Sequence, residues 1–124
     1  MPQIKTEIFG PVALSNTLTT NIVNPAAAGA GGVGYTATAS YLILRHIRIV
    51  NKTAGAVTFS LWKGATGANV AGTEVVGTAL SVAANSAFDW YGLMRLEGAN
   101  GFLVGGASAA ASLTFEAEGE VGLV

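Results

Sequence analysis

The sequence predicts an all-β protein, a single-domain antiparallel β-sandwich of jelly-roll type. Three observations lead to this prediction. About eight short segments rich in β-branched, aliphatic and aromatic residues recur at intervals of roughly ten residues. Turn signals rich in Gly, Asn and Ser separate these segments. No segment combines the length, the apolar periodicity and the capping residues of a long amphipathic helix.

The chain has 124 residues, the length of one ordinary domain. We expect residues 1–34 to form an N-terminal strand or extended arm and a Gly/Ala-rich loop, and residues 35–124 to form the sandwich. Residues 25–34 are almost all Pro, Ala and Gly. So few packing side chains favour a mobile loop there.

Two strands with a turn between them are predicted in the middle of the chain. Residues 41–50 are dense in β-branched and aliphatic side chains, with Tyr41, Ile43, Ile47 and Ile49 on one parity. Residues 51–55 supply turn chemistry, and residues 56–63 alternate strictly. We therefore expect a β-hairpin, with Trp62 on the parity opposite Val57, Phe59 and Leu61.

The closing segment, residues 112–121, gives the clearest strand prediction. One parity carries Leu113, Phe115, Ala117 and Val121, and the other carries Thr114 and three glutamates. Further short strands are expected at 6–14, 18–23, 80–82, 88–91, 93–96 and 101–104. Gly10-Pro11 interrupts the first of these, which suits an edge strand or a bend.

Charge and cysteine content exclude several classes of function. The net charge is −1, so no strong field attracts nucleic acid or an anionic membrane, and we predict neither as a partner. Without cysteine, disulfides, thiolate metal sites and a cysteine nucleophile are excluded. We predict no cofactor and no metal. The N-terminal residues lack the apolar region of a signal peptide, so we expect synthesis in a cytoplasm.

The surface is predicted to be short of polar groups. Charged residues are 10% of the chain, against about 25% in typical soluble domains, and 17 residues are glycine. A soluble monomer normally covers itself with Lys, Glu, Arg and Asp. The composition therefore indicates that much of the outside contacts other protein.

No catalytic or nucleotide-binding motif stands out. Residues 29–34 match G-x-G-x-x-G, but strand-like residues follow where a helix N-terminus is needed. His46 and Asp89 are the only residues of their types, and with Ser60 they would complete a triad on paper. Nothing in the sequence places the three together. We expect His46 to be a strand residue facing solvent or a neighbouring subunit.

The polar motifs are interpreted structurally. Glu116, Glu118 and Glu120 share one strand face, but calcium needs six to eight converging oxygens. We expect a solvated face with Lys or Arg of the next strand opposite the glutamates. Residues 51–53 match a glycosylation sequon, and we interpret Asn51 as a residue that tolerates the backbone angles of a turn.

Three aromatic residues are candidates for contacts. Trp62 is expected on the outer face of its sheet, and one of the adjacent Trp90 and Tyr91 is expected to be exposed. Exposed aromatics either stack on sugars or anchor protein interfaces. Sugar sites usually add several polar groups, which this sequence has in short supply, so a protein interface is favoured.

The strand and turn pattern also resembles a known class of proteins. In order, the chain has an Ile-Val-Asn turn after a strand (47–51), a Val-Thr-Phe-Ser-Leu strand (57–61), an Ala-Ala-Asn-Ser link (83–86), a Leu-Glu-Gly turn (96–98) and a closing strand (113–121). This resembles small β-sandwich structural proteins of tailed-bacteriophage virions, including capsid decoration (cement) proteins. The resemblance covers roughly residues 41–121 and contains no catalytic signature.

The resemblance implies a non-enzymatic protein on the capsid surface of a virion made in a bacterial host. Its partners would be the major capsid protein and further copies of itself, with a homotrimer favoured. The expected contacts come from the arm (Ile4, Ile8 and Phe9), from Trp62, and from Trp90 and Tyr91 at a loop end. A tail or fibre module, with or without carbohydrate binding, and a small hydrolase that uses His46 are the alternatives.

Overall fold

The structure is a computed structural model that describes residues 3–24, 33–34 and 39–123. Side chains are described at residues 9–23, 41–98 and 100–120. Residues 25–32, most of the loop predicted to be mobile, lie outside the described residues. Residues 33–34 are described and form a short strand.

Two β-sheets packed face to face confirm the predicted sandwich. The four-stranded sheet contains, in spatial order, β1 (Gln3–Ala13), β9 (Leu113–Leu123), β4 (Ala39–Asn51) and β7 (Ser86–Leu96). The five-stranded sheet contains β3 (Val33–Gly34), β2 (Asn21–Asn24), β8 (Phe102–Ala107), β5 (Val57–Gly64) and β6 (Leu80–Val82). All pairings are antiparallel except the two-residue pairing of β2 with β3.

Neighbouring strands are mostly distant in sequence. The first and last strands of the chain, β1 and β9, are paired, and the chain passes repeatedly from one sheet to the other. Without β3, each sheet has four strands, an arrangement compatible with the predicted jelly-roll type. Contacts between distant parts of the chain therefore dominate the fold.

The predicted hairpin of residues 41–63 is wrong, although both of its strands exist. β4 lies in the four-stranded sheet and β5 in the five-stranded sheet. The intervening turn carries the chain across the sandwich because both strands have an apolar face that must be buried. Their apolar faces meet in the core instead of lying side by side in one sheet.

The alternation predicted for β9 is confirmed, whereas that of β4 changes partway. Leu113, Phe115 and Ala117 are buried in the core. In β4 the buried apolar residues are Leu42 and Leu44 on one parity and then Ile47 and Ile49 on the other. Register shifts between Leu44 and His46, against both neighbouring strands, mark a β-bulge that reverses the parity. Tyr41 and Ile43 consequently do not join the core.

The N-terminal segment belongs to the sandwich, which corrects the expectation of an extended arm. β1 pairs with β9 over nearly its whole length as an edge strand, with a register shift next to Gly10-Pro11 that confirms the predicted bend. Phe9, Leu14, Ile22 and Val23 are all core residues. Because these side chains are buried between the sheets, residues 9–23 are not free to act as an arm.

The second half of the chain follows the prediction with one difference. β6 has the bounds that the sequence predicted. The segments expected at 88–91 and 93–96 form a single strand, β7, in which Phe88, Trp90, Met94 and Leu96 pack against the core and Tyr91 and Leu93 are exposed. A 3-10 turn at Gly98–Asn100 then leads into β8.

Candidate functional site

More than half of the chain's charged residues lie on the outer face of the four-stranded sheet. Strand β9 contributes a row of glutamates, the adjacent β4 contributes a row of basic residues, and β7 contributes a mixture. We call this surface the charged face; its members are Arg45, His46, Arg48, Asp89, Tyr91, Leu93, Arg95, Glu116, Glu118 and Glu120. The β-bulge in β4 explains why the consecutive residues Arg45 and His46 both belong to it.

His46 lies at the centre of the charged face, between two carboxylates. Its Nε2 is 2.7 Å from Asp89 Oδ1 on β7, and its Nδ1 is 3.6 Å from Glu118 Oε1 on β9. A carboxylate can only accept, so Nε2 donates the proton in the shorter contact. The imidazole also stacks on the Tyr91 ring at a centroid distance of 4.4 Å and an interplanar angle of 2°.

Arginines on β4 complete the ion pairs of the charged face. Arg48 Nη1 donates to both oxygens of Asp89 at 3.2 Å. Arg45 Nη2 is 3.0 Å from Glu120 Oε1. The prediction that basic residues of the next strand face the glutamates of β9 is confirmed at Arg45 and Glu120.

The face also carries exposed apolar groups. Tyr91 is 72% exposed and Leu93 is 70% exposed, and both project outward from β7. Beside them, the Arg95 guanidinium lies 4.2 Å from the Tyr41 ring centroid and donates to the Glu97 carboxylate at 3.1 and 3.3 Å. The hydrogen bond from Arg95, with its positive charge, lowers the pKa of the Glu97 carboxyl. The same bond raises the pKa of Arg95.

The outer face of the five-stranded sheet is different. Trp62, Phe102 and Val104 lie outside the core cluster, yet all three are buried. Segment 73–77 continues the sheet beside β5, with backbone hydrogen bonds to Leu61 and Lys63. Farther along the same connection, Gly67 N donates to Asn21 Oδ1 at 2.7 Å. The connection between β5 and β6 is thereby held against the sheet.

The structure does not assemble the Ser-His-Asp arrangement. His46 and Asp89 are in contact, a pairing that the sequence did not place, but Ser60 lies on β5 of the other sheet. Ser60 Oγ accepts a hydrogen bond from Ala79 N at 2.8 Å. Both imidazole nitrogens of His46 face carboxylates, so neither is directed at a hydroxyl nucleophile.

Asn51 is a buried structural residue, which corrects its interpretation as a residue chosen for its backbone angles. Its Nδ2 donates to Gly55 O at 2.9 Å and to Val82 O at 3.0 Å, and its Oδ1 accepts from Thr53 N and Thr53 Oγ1. With no exposed surface, its amide is closed to glycosylation. Beside it, an open cleft of about 530 Å³ is lined by Arg48, Val50, Asn51, Lys52, Asn85, Ser86 and Ala87.

The aromatic and apolar contact residues are distributed differently from the prediction. Phe9 and Trp62 are 2% and 8% exposed, so neither is available as an anchor in this fold. Trp90 packs against the core and Tyr91 is exposed, which confirms that one of the pair faces outward. Both lie within β7 and not at a loop end.

Ile4 and Ile8 are described only by their backbone, in β1. Their pairing with Gly122 and Glu118 of β9 places them along an edge strand. The contacts expected of their side chains stay a prediction.

Sequence reasoning missed Leu93, Arg95 and Tyr41 as members of the exposed surface. One signal could have indicated Leu93 and Arg95: they share the parity of Asp89 and Tyr91 within β7. The sequence predicts Tyr41 on the buried face of β4, because no sequence signal indicates the bulge that reverses the alternation of this strand.

Two results bear on binding classes. The described residues contain no group of three or more His, Asp or Glu side chains arranged to hold a metal ion. Within the part of the chain that the structure describes, no helix has the length and apolar character needed to cross a bilayer.

Comparison with known proteins gives no assignment. No protein-family model matches the chain, and no curated protein matches it in sequence. The geometry of the charged face and the predictions from the sequence are therefore the basis for inferring function.

Proposed function

We propose that the protein is a non-enzymatic structural protein of a bacteriophage virion, which decorates the capsid and stabilises it by bridging neighbouring capsid subunits. Nucleic acid, membrane and cofactors have no part in this function. The observation that carries the proposal is the composition of the charged face: exposed Tyr91 and Leu93 surrounded by arginines and carboxylates.

This composition suits a protein interface. Interface centres are enriched in Tyr and Arg, and a polar rim surrounds them. Most of the charged groups here are already paired within the chain, as Arg48 with Asp89 and Arg45 with Glu120, so a partner would meet few isolated charges. An exposed apolar centre in a paired polar surround can therefore bind protein without leaving a buried charge unpaired.

The outer face of the five-stranded sheet supports assigning the contact to the charged face. Trp62 and Val104 are buried there, so among the residues whose side chains are described this surface presents no large aromatic anchor. Of the exposed large apolar side chains, Tyr91 and Leu93 lie side by side on β7, whereas Leu18 and Val70 lie elsewhere. The proposed capsid contact is accordingly centred on β7.

Mass spectrometry with copy-number estimation on purified virions tests this proposal. We expect hundreds of copies per particle, as for a protein that repeats over a shell, and surface density that disappears from virions of a deletion phage. A few copies per particle would instead place the protein in the tail. Deletion virions that keep the same surface density would refute capsid decoration.

A binding assay then tests whether the charged face is the capsid contact. Heads from the deletion phage are mixed with the purified protein and sedimented. We expect Tyr91→Ser with Leu93→Ser to reduce the bound protein strongly, because the apolar centre is lost. The matched control is Val70→Ser, an exposed apolar residue outside the charged face. Equal binding by both variants would show that the charged face is not the capsid contact.

A tail or fibre module that binds carbohydrate is the second candidate, and one observation favours it. Tyr91 stacks on His46, which in turn contacts Asp89 and Glu118, and Arg48 pairs with Asp89. Polar groups of this kind next to an aromatic ring are what a sugar site requires. A glycan array tests this candidate. Binding that is lost in Tyr91→Ala would support it, whereas Trp90 is unsuitable for the test because it packs against the core.

A further inference from the structure

Strand β7 is an edge of the four-stranded sheet. In the described part of the chain it pairs with β4 on one side and with no strand on the other. Eleven residues, Ser86–Leu96, thus present one row of backbone groups that can pair with a further strand. The exposed Tyr91 and Leu93 lie on this edge.

The sequence of β7 is self-complementary about Gly92. When a second β7 runs antiparallel with Gly92 opposite Gly92, Asp89 lies opposite the partner's Arg95 and Tyr91 lies opposite the partner's Leu93. On the inner face, Trp90 lies opposite the partner's Met94. Each pair occurs twice, as two-fold symmetry requires.

Of the registers centred on Tyr91, Gly92 or Leu93, only the one centred on Gly92 gives favourable pairs on both faces. A pairing centred between two residues would place outward side chains opposite inward ones, which a continuous sheet forbids. Moving the centre to Tyr91 places Asp89 opposite Leu93, and moving it to Leu93 places Asp89 opposite Glu97, a like charge. Gly92 at the centre brings together opposite charges and apolar pairs, which stabilise antiparallel strands.

We propose that two copies of the chain associate through antiparallel pairing of their β7 strands about Gly92, which joins their four-stranded sheets into one eight-stranded sheet. The carboxylate of Asp89 and the guanidinium of Arg95 form reciprocal cross-strand pairs. Tyr91 and Leu93 form a small apolar centre next to the two-fold axis.

One backbone group of this edge already has a partner. Lys63 Nζ donates to Arg95 O at 2.8 Å. A carbonyl oxygen has two lone pairs and can accept a strand N–H as well, but the lysine still competes at that position. Removing its ammonium group in Lys63→Met should therefore tighten the association.

This inference goes beyond the capsid proposal but uses the same Tyr91 and Leu93, so it is tested on the free protein with no capsid present. A dimer that does not bind phage heads, or a monomer that does, distinguishes failure of one proposal from failure of the other. It also differs from the homotrimer that the sequence favours, because a two-fold edge contact closes at two copies. The mass in solution separates these two assemblies.

Charge swapping gives the sharpest test. Asp89→Arg and Arg95→Asp are each prepared, and mass is measured over a concentration series by light scattering after size exclusion. Alone, each variant places like charges opposite each other twice and should be monomeric. Mixed in equal amounts they place opposite charges together at both positions and should form a heterodimer. Wild type should be dimeric, and a mixture that stays monomeric would overturn the proposed register.

A second variant keeps the test decisive if a charge swap disturbs folding. Leu93 is 70% exposed, so Leu93→Lys should keep the fold and raise the dimer dissociation constant roughly tenfold or more. The matched control, Val70→Lys, adds the same charge on an exposed loop residue and should leave dimerisation unchanged. Circular dichroism verifies the fold of every variant.

Hydrogen exchange locates the contact. At concentrations where wild type is dimeric, amides of β7 should exchange more slowly than in the monomeric Leu93→Lys variant, while the loop at 65–72 should not differ. A dimer or trimer whose β7 amides exchange as fast as those of the variant would overturn the proposal, as would a wild type that is monomeric at every concentration.

Discussion

The outer faces of the two sheets follow the same alternation but end in different environments. Tyr91 and Trp62 both point away from the core, yet Tyr91 is 72% exposed and Trp62 only 8%. Around Tyr91 the surface is a network of ion pairs open to water. Around Trp62 the connection from β5 to β6 is held against the sheet by backbone and Asn21 hydrogen bonds.

The difference shows that the alternation along a strand determines which face of the sheet a side chain occupies. Whether that face is exposed to solvent depends on other segments of the chain. Four paired strands leave their outer face bare unless a loop crosses it. The low charge of the sequence therefore has two explanations here. Part of the outside, at Trp62, is buried within the chain itself, and part, at Tyr91 and Leu93, exposes apolar side chains.

The largest expected effect comes from removing the buried outer-face aromatic. Trp62→Ala should lower the free energy of unfolding by about 3–5 kcal/mol, because it removes a large buried side chain and leaves a cavity in its place. Tyr91→Ala, its exposed counterpart, should lower it by less than about 1 kcal/mol. Urea unfolding of the monomeric proteins measures both. Equal losses would contradict the contrast between the two faces.

The next largest loss of stability is expected at Gly106 in β8, where segment 15–17 approaches the strand closely. A Cβ at Gly106 would lie 2.5 Å from Ser15 O and 3.0 Å from Thr17 O, so Gly106→Ala must displace that segment. We expect a loss of about 1–3 kcal/mol. Gly55→Ala is the control, since an added Cβ there meets nothing within 4 Å. A Gly106→Ala protein as stable as the control would mean that segment 15–17 yields without cost.

Neutralising Asp89 at the centre of the charged face should lower the free energy of unfolding by less than either of these substitutions. Asp89→Asn removes the charge that Arg48 and His46 contact, and partly exposed pairs contribute little, so we expect a loss of about 1 kcal/mol at low salt. Added salt should reduce the difference from wild type because it screens these pairs. Lys52→Gln, which removes a charge outside this face, serves as the control. A loss near that of Trp62→Ala would show that the ion pairs are as important as burial.

The smallest effect on stability is expected from replacing Glu97, and it should depend on pH. Its pKa is lowered in the folded protein by the hydrogen bond from Arg95, so the stabilisation is present above the ordinary carboxyl pKa of 4.5 and disappears as pH falls through the lowered value. Thermal unfolding between about pH 6 and pH 3 measures it. Glu97→Gln should show a slightly shallower loss of stability on acidification than wild type. An unchanged pH dependence would show that this exposed pair contributes nothing.

Local pattern was enough to predict strand positions, and it failed where two strands had to be related to each other. Residues 80–82 and 113–121 were found because their own side chains alternate. The assignment of 41–50 and 56–63 to one hairpin failed because a turn sequence does not distinguish a return within one sheet from a crossing to the other. For the same reason the contact of His46 with Asp89, 43 residues apart, could not be foreseen.

By itself, the sequence determined the all-β class, the single sandwich domain and the inward and outward faces of β5 and β9, because each follows from a period of two along the chain. Only the tertiary structure decided that β1 is a sheet edge, that a bulge reverses the parity of β4, that Trp62 is covered and that Tyr91 and Leu93 are bare. These four features depend on contacts with residues far away in the sequence. Hydrogen bonding between distant strands leaves no local periodicity in the sequence, so the features could not be inferred from it.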